Sequence, residues 1–125
     1  MSITATDVDN LVLTEKNWLT RAHEFALEHN LVRPAGVYAL DAMSELGEVA
    51  KEILLATNYG LQTPRFRDEF EGELGDLLYS VCLLATASGI NLEEAFTASL
   101  EKYKIRWYSA GNLGSQEPQM PANET

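Results

Sequence analysis

Residues 44–52 read SELGEVAKE, and residues 72–79 read GELGDLLY. Each stretch places two acidic residues three positions apart around a glycine, among leucines and other apolar residues. A spacing of three or four residues brings side chains to the same face of an α-helix. Both stretches therefore predict a helix in which an acidic edge borders an apolar stripe.

Apolar residues at three- and four-residue intervals extend these two helices and predict two more. The four predicted helices cover about residues 14–28, 37–57, 65–88 and 91–108, with Thr14 and Asn91 as N-caps. No segment alternates with a period of two, so the helices and their short connections predict an all-α domain over residues 1–110. Its expected architecture is an antiparallel four-helix bundle. Residues 111–125 are polar and contain Gly and Pro, which predicts a disordered tail.

The apolar stripes predict which helix faces form the core. For the second helix the predicted inward residues are Leu46, Val49, Ala50, Ile53 and Leu54, and for the third they are Phe70, Leu74, Leu77, Leu78, Val81 and Leu84.

The charge balance limits the possible partners. The chain has 9 basic and 19 acidic residues, a formal net charge of −10, which opposes binding to a nucleic-acid polymer. No apolar run reaches the ~18 residues that a membrane-spanning helix needs, and the N-terminus has no signal-peptide pattern. The single cysteine, Cys82, is expected to pack as a small hydrophobe. A soluble, cytoplasmic protein is expected.

Acidic residues form one row on each of the two central helices. The rows are Asp41, Glu45, Glu48 and Glu52 on the second helix and Glu69, Glu73 and Asp76 on the third. They are either solvated surface or, if the helices pack side by side, a convergent site at the seam. Like charges at this spacing destabilise a helix, and carboxylates partly out of water need a cation. Oxygen ligands of this kind favour Mg²⁺ or Mn²⁺.

Two further features of the acidic motifs bear on this choice. Gly47 and Gly75 lie inside the motifs, where glycine disfavours a helix, and indicate either close helix–helix approach or an incidental similarity. A di-iron bundle would need Glu-x-x-His pairs. Neither His23 nor His29 follows a Glu by three residues, so both are interpreted as exposed or capping residues.

Basic and aromatic residues offer candidate ligand contacts elsewhere. Lys102, Lys104 and Arg106 lie near the end of the fourth helix, where they either compensate the helix dipole or bind phosphate. Trp18 and Tyr59 are candidates for stacking on a base, although the apolar face around Trp18 favours a core position for that residue.

The pattern Glu45-x-x-Glu48, 24 intervening residues, then Glu73-x-x-Asp76 resembles the signature of the MazG-like all-α nucleotide pyrophosphohydrolases. The surrounding segments SELGEVAKEI, GELGDLLYSVCLLA, GINLEEAF and KYKIRW agree, so the resemblance covers about residues 37–107. Many relatives have an additional Glu where this chain has Ser44. That difference leaves open the number of metal ions.

The resemblance implies Mg²⁺-dependent cleavage of a nucleoside triphosphate to the monophosphate and pyrophosphate. Glu45, Glu48, Glu73 and Asp76 would hold the metal, with Glu45 or Glu48 as general base. Lys102, Lys104 and Arg106 would contact phosphates. The family's usual dimers or tetramers imply that oligomerisation completes the bundle.

A non-catalytic helical module that binds a nucleotide or a protein partner is the alternative function. It would bind nucleotide without turnover, and the intact set of motif acids disfavours it.

Overall fold

The computed structural model describes residue 4 and residues 17–111. This part of the chain contains no strand and forms four helices: α1 (Trp18–Glu28), α2 (Ala35–Ala56), α3 (Glu69–Ala87) and α4 (Leu92–Ala110). The predicted all-α helical fold is confirmed. Of the predicted tail, residues 112–125 lie outside the described residues, so its disorder stays a prediction.

The chain divides into two compact units, Met1–Ile90 and Asn91–Thr125. In the first unit α2 packs along α3, and α1 packs against α3. Helices α2 and α3 run antiparallel, because Glu52 near the end of α2 contacts Arg67 just before α3, whereas the earlier Glu45 approaches Asp76. This antiparallel pair brings the two acidic motifs together. In the second unit the described helix is α4.

Asparagine side chains define the starts of α1 and α4. Asn17 accepts a hydrogen bond from the backbone N–H of Thr20 at 2.8 Å, and Asn91 accepts one from Glu94 at 3.2 Å. Each bond satisfies one N–H group that has no partner within the helix. The cap at Asn91 was predicted correctly. The cap predicted at Thr14 is wrong, because α1 begins at Trp18.

Helix α3 begins four residues later than the prediction, at Glu69 and not at residue 65. The backbone N–H of Arg65 donates to the carbonyl of Ala56 at 2.9 Å. The side chain of Arg67 is bound to Glu52. These two contacts with the end of α2 hold the preceding segment out of the helix, and sequence periodicity does not report such tertiary contacts.

The connection between α1 and α2 is held by the buried Tyr38. Its hydroxyl donates to the carbonyl of Leu31 and accepts from the backbone N–H of Arg33 at 2.9 Å. The two bonds replace the hydrogen bonds to water that the hydroxyl loses on burial. This tyrosine therefore sets the path of the chain into α2.

Small side chains dominate the buried core of the described residues. Cys82 is 1% exposed and packs as a small hydrophobe, as predicted. The other buried apolar residues are Ala22, Ala26, Tyr38, Ala56, Leu83 and Ala85. Because alanines contribute little apolar area, this core supplies limited hydrophobic stabilisation.

Several residues that the periodicity assigns to the core are exposed. Leu46 and Leu54 of α2 and Leu74 of α3 belong to this group. Met43, also on α2, is 70% exposed, and no residue of α4 is buried. Periodicity identified apolar stripes, but the described chain does not cover all of them.

The two motif glycines do not mark a close helix contact within the described chain. A methyl group added at Gly47 or Gly75 would meet no atom within 4 Å. The prediction of close approach is therefore wrong, because the neighbouring side chains leave both positions open.

Among the described residues no single helix is long and apolar enough to cross a membrane. Helices α3 and α4 meet that requirement only when they are considered together as a bent pair, by length and composition.

The turn after α2 contains three consecutive residues with positive φ. Asn58, Tyr59 and Gly60 have φ angles of 46°, 57° and 84°. Glycine and asparagine tolerate this region, whereas a tyrosine there is strained by about 1–2 kcal/mol. The strained residue is the exposed Tyr59. Within the described residues its side chain makes no hydrogen bond that would stabilise this conformation.

Replacing Tyr59 with glycine should relieve this strain. We expect Tyr59→Gly to raise the free energy of unfolding by about 0.5–1 kcal/mol, because the added freedom of the unfolded chain offsets part of the gain. Urea denaturation measures the change. Leu61→Gly is the matched control, since Leu61 is also exposed but has no positive φ, and it should leave stability unchanged or lower it. A decrease for Tyr59→Gly would show that the tyrosine side chain contributes to folding.

Candidate metal site

Three carboxylates converge where α2 packs on α3. One oxygen each from Glu45, Glu73 and Asp76 lies within 4.8 Å of the other two. Glu45 and Glu73 are half-buried, whereas Asp76 is exposed. The three-residue spacing of Glu73 and Asp76 places both on one face of α3, and the antiparallel packing brings Glu45 opposite them. We call these three residues the acidic cluster.

Glu48, the fourth motif acid, lies beside the acidic cluster without supplying an oxygen to it. Its side chain is exposed one turn after Glu45. Its charge nevertheless acts on Glu73. The structure therefore brings three of the four predicted ligands together and leaves Glu48 at the edge.

Burial and like charge together raise the pKa of Glu73. Desolvation is the largest cause, followed by the charges of Glu48, Asp76, Glu45 and Glu52. Among the described residues, no basic side chain opposes this shift. A divalent cation would supply the missing positive charge, because Mg²⁺ and Mn²⁺ bind several carboxylate oxygens at one site. The donor set of the acidic cluster fits such an ion.

Glu52 belongs to the same predicted row but has a different partner. Its carboxylate accepts two hydrogen bonds from Arg67, from Nε at 3.1 Å and from Nη2 at 2.5 Å. This guanidinium holds the pKa of Glu52 below its usual value. The sequence contains no signal for this pairing, because the two residues are 15 positions apart and Arg67 lies outside any helix.

Asp41, at the other end of the row, acts electrostatically on a tyrosine. Its charge helps to raise the pKa of Tyr79, for which burial is the largest cause and Tyr38 the second. Asp41 is not part of the acidic cluster. The rows read from the sequence thus divide into three groups: a cluster of acids, an ion pair and a carboxylate near a tyrosine.

No histidine belongs to the carboxylate cluster in the described chain. His29 forms the C-cap of α1, and its ring contacts Phe25 with the centroids 4.5 Å apart. The interpretation of His29 as a capping residue is confirmed. His23 is half-buried on α1.

Trp18 is 64% exposed, so the core alternative for this residue is wrong. It lines an open groove of about 610 Å³ between α1 and α3, together with Phe25, Tyr79 and Cys82. Gly75, next to Asp76 in sequence, also lines the groove. The groove could not be predicted from the sequence, because its walls come from two helices whose contact cannot be read from either one.

The remaining candidates lie outside these contacts. Tyr59 is exposed in the strained turn after α2. Lys102, Lys104 and Arg106 are exposed on α4, and the Nζ atom of Lys102 lies 5.0 Å from the ring centroid of Tyr103. Their assignments to base stacking and phosphate binding stay predictions.

Comparison with known protein families identifies the class of protein. A model of the MazG nucleotide pyrophosphohydrolase domain matches residues 37–108, more than half of the chain. The chain therefore belongs to the MazG family. Comparisons with curated proteins and with solved structures gave no significant match. The matched region contains all four motif acids.

The raised pKa of Glu73 predicts a pH-dependent stability. In metal-free buffer the folded protein holds this proton more tightly than the unfolded chain does. Stability should therefore fall as the pH rises from the unfolded carboxyl value through the folded pKa. Above that window we expect Glu73→Gln to raise the melting temperature, because the variant removes a charge that burial and four carboxylates disfavour.

Thermal unfolding in a buffer with EDTA, with and without excess Mg²⁺ or Mn²⁺, measures this effect. Metal should stabilise the wild type by about 2.7 kcal/mol at 100 times Kd, and Glu73→Gln should lose most of that gain. Glu71→Gln is the control, because Glu71 is exposed on the same helix. A lower metal-free melting temperature for Glu73→Gln would instead indicate a structural hydrogen-bonding role.

Proposed function

We propose that this protein is a Mg²⁺-dependent nucleoside triphosphate pyrophosphohydrolase that releases the nucleoside monophosphate and pyrophosphate. Membership of the MazG family supports the class of reaction. The observation that carries the proposal is the convergence of Glu45, Glu73 and Asp76 within 4.8 Å. A cytoplasmic location, where nucleotide substrates occur, is part of the same proposal.

The acidic cluster would hold the metal through its carboxylate oxygens. When bound, Mg²⁺ or Mn²⁺ would neutralise phosphate charge and lower the pKa of a coordinated water. The cluster carries a net negative charge, so it would not bind a triphosphate by itself. Asp76 is the most exposed of the three carboxylates and lies nearest to the solvent from which the substrate arrives.

Glu48 is our candidate for the general base. Of the two glutamates that the family resemblance suggests, Glu45 belongs to the acidic cluster, whereas Glu48 lies one turn away with its carboxylate exposed. A carboxylate that is not occupied by metal retains a lone pair for a proton. In the proposed step the water oxygen bonds to the α-phosphorus, Glu48 takes the water proton, and the bond from that phosphorus to the bridging oxygen breaks. Pyrophosphate is the leaving group.

Pyrophosphate release over a panel of canonical and modified nucleoside triphosphates tests the activity. We expect Mg²⁺-dependent release with at least one nucleotide. Asp76→Asn should lose most of the activity, because it removes a charged metal ligand. Glu48→Gln should lower kcat by about 10²–10⁴-fold while metal binding persists.

Asp68→Asn provides the matched control, since Asp68 is an exposed carboxylate just before α3 and outside the acidic cluster. Its activity should equal that of the wild type. Nucleotide binding without turnover across the whole panel would contradict the hydrolase and favour the non-catalytic binding module.

We further propose that the protein is a homodimer or homotetramer. Leu40 and Met43 expose more than half of their surface on α2, as do Phe96 and Ile105 on α4. Exposed apolar surface of this extent is typical of protein–protein interfaces, and burying it would supplement a core made largely of small side chains.

Light scattering after size-exclusion chromatography tests the oligomeric state. Met43→Glu should lower the molecular mass of the assembly, because it places a charge in an apolar contact. Thr63→Glu adds the same charge at an exposed position between α2 and α3 and should leave the mass unchanged. A monomeric wild type would contradict the proposal.

A further inference from the structure

One charged side chain is buried among the described residues, and it is not part of the acidic cluster. Glu52 is 5% exposed. Both of its oxygens accept hydrogen bonds from the guanidinium of Arg67, which forms a two-bond pair of the kind that orients arginine in a fixed plane. Burying a carboxylate requires such a partner. The pair therefore neutralises the charge of Glu52 and also fixes the orientation of the guanidinium.

The ion pair lies at one end of the acidic row. Glu52 follows Glu45 by seven residues, which is two helical turns or about 10.5 Å along the axis on the same face of α2. The guanidinium of Arg67 is therefore a positive group held at the end of the negative row within the first compact unit.

Only part of the guanidinium is used by this contact. Nε and Nη2 of Arg67 bond Glu52, and the carboxylate of Glu69 lies 3.9 Å from Nε. The third nitrogen, Nη1, makes no hydrogen bond within the described part of the chain, and the side chain is 51% exposed. An arginine held on one edge and open on the other is suited to a second anion, because its N–H groups match phosphate oxygens in pairs.

We infer that Arg67 binds the terminal diphosphate part of the substrate, with Glu52 as the residue that positions it. The inference rests on the proposed function. If the α-phosphate of a triphosphate lies at the acidic cluster, its β- and γ-phosphates extend away from the cluster. Arg67 would hold these phosphates and then the pyrophosphate leaving group. The family comparison and the motif acids do not assign this role to a residue between α2 and α3.

Binding of inorganic pyrophosphate in the presence of Mg²⁺, measured by isothermal titration calorimetry, tests the inference. Arg67→Met should weaken this binding by about 10- to 100-fold, the effect of losing hydrogen bonds to a charged group. Arg67→Lys keeps the charge but not the two-bond geometry and should give an intermediate affinity. Arg65→Met removes a neighbouring exposed arginine and should match the wild type.

A second variant guards against misfolding, since Arg67→Met leaves Glu52 buried without its partner. Glu52→Gln combined with Arg67→Met removes both charges and should restore the folded protein without restoring pyrophosphate affinity. The affinity for Mn²⁺ alone is measured as well, because a purely structural role of Arg67 would change that affinity too. We expect it to be unchanged in the double variant, because the acidic cluster is intact.

Three binding outcomes would overturn the inference, and one kinetic outcome would do the same. They are no Mg²⁺-dependent pyrophosphate binding by the wild type, equal binding by wild type and double variant, and a parallel loss of Mn²⁺ and pyrophosphate affinity in the double variant. The hydrolase proposal fails separately, through absence of turnover on every nucleotide. In that case the role of Arg67 in pyrophosphate binding would still hold. Conversely, turnover with a wild-type KM in both Arg67→Lys and the double variant would overturn the inference about Arg67 and leave the hydrolase proposal intact.

Discussion

Repulsion among carboxylates that two packed helices hold together is the constraint on which this structure depends. Glu45, Glu73 and Asp76 lie within 4.8 Å because α2 and α3 are antiparallel, and not because any local sequence preference brings them together. The folded chain bears the unfavourable charge, which appears as the raised pKa of Glu73. A divalent cation at these carboxylates would offset this repulsion.

The Glu52–Arg67 pair shows how the same fold handles an additional carboxylate. The charge of Glu52 still adds to the repulsion on Glu73, after those of Glu48, Asp76 and Glu45. Its pairing with Arg67 compensates the buried carboxylate itself and ties the segment before α3 to the end of α2. One interaction therefore influences the charge of the site, the start of α3 and the register of the two helices.

Periodicity was sufficient for the helices and for the edges on which the acids lie. The cap at Asn91 could be predicted because it depends on atoms three residues apart. The start of α3 and the exposure of Trp18 could not, because both depend on contacts between separate elements. The same applies to the motif glycines, because helical spacing does not show whether another element packs against them, and a Cβ at either position would be free of contacts.

The all-α class, the family and the pairs of acids on each helix can be read from the sequence alone, since they follow from spacings of three and four residues. Which acids share a site depends instead on how the helices pack. The tertiary structure grouped Glu45 with Glu73 and Asp76, assigned Glu52 to Arg67 and placed Asp41 near Tyr79. Charges interact according to their separation in space, whereas residues in one row of a helix share only the side of the helix from which they project.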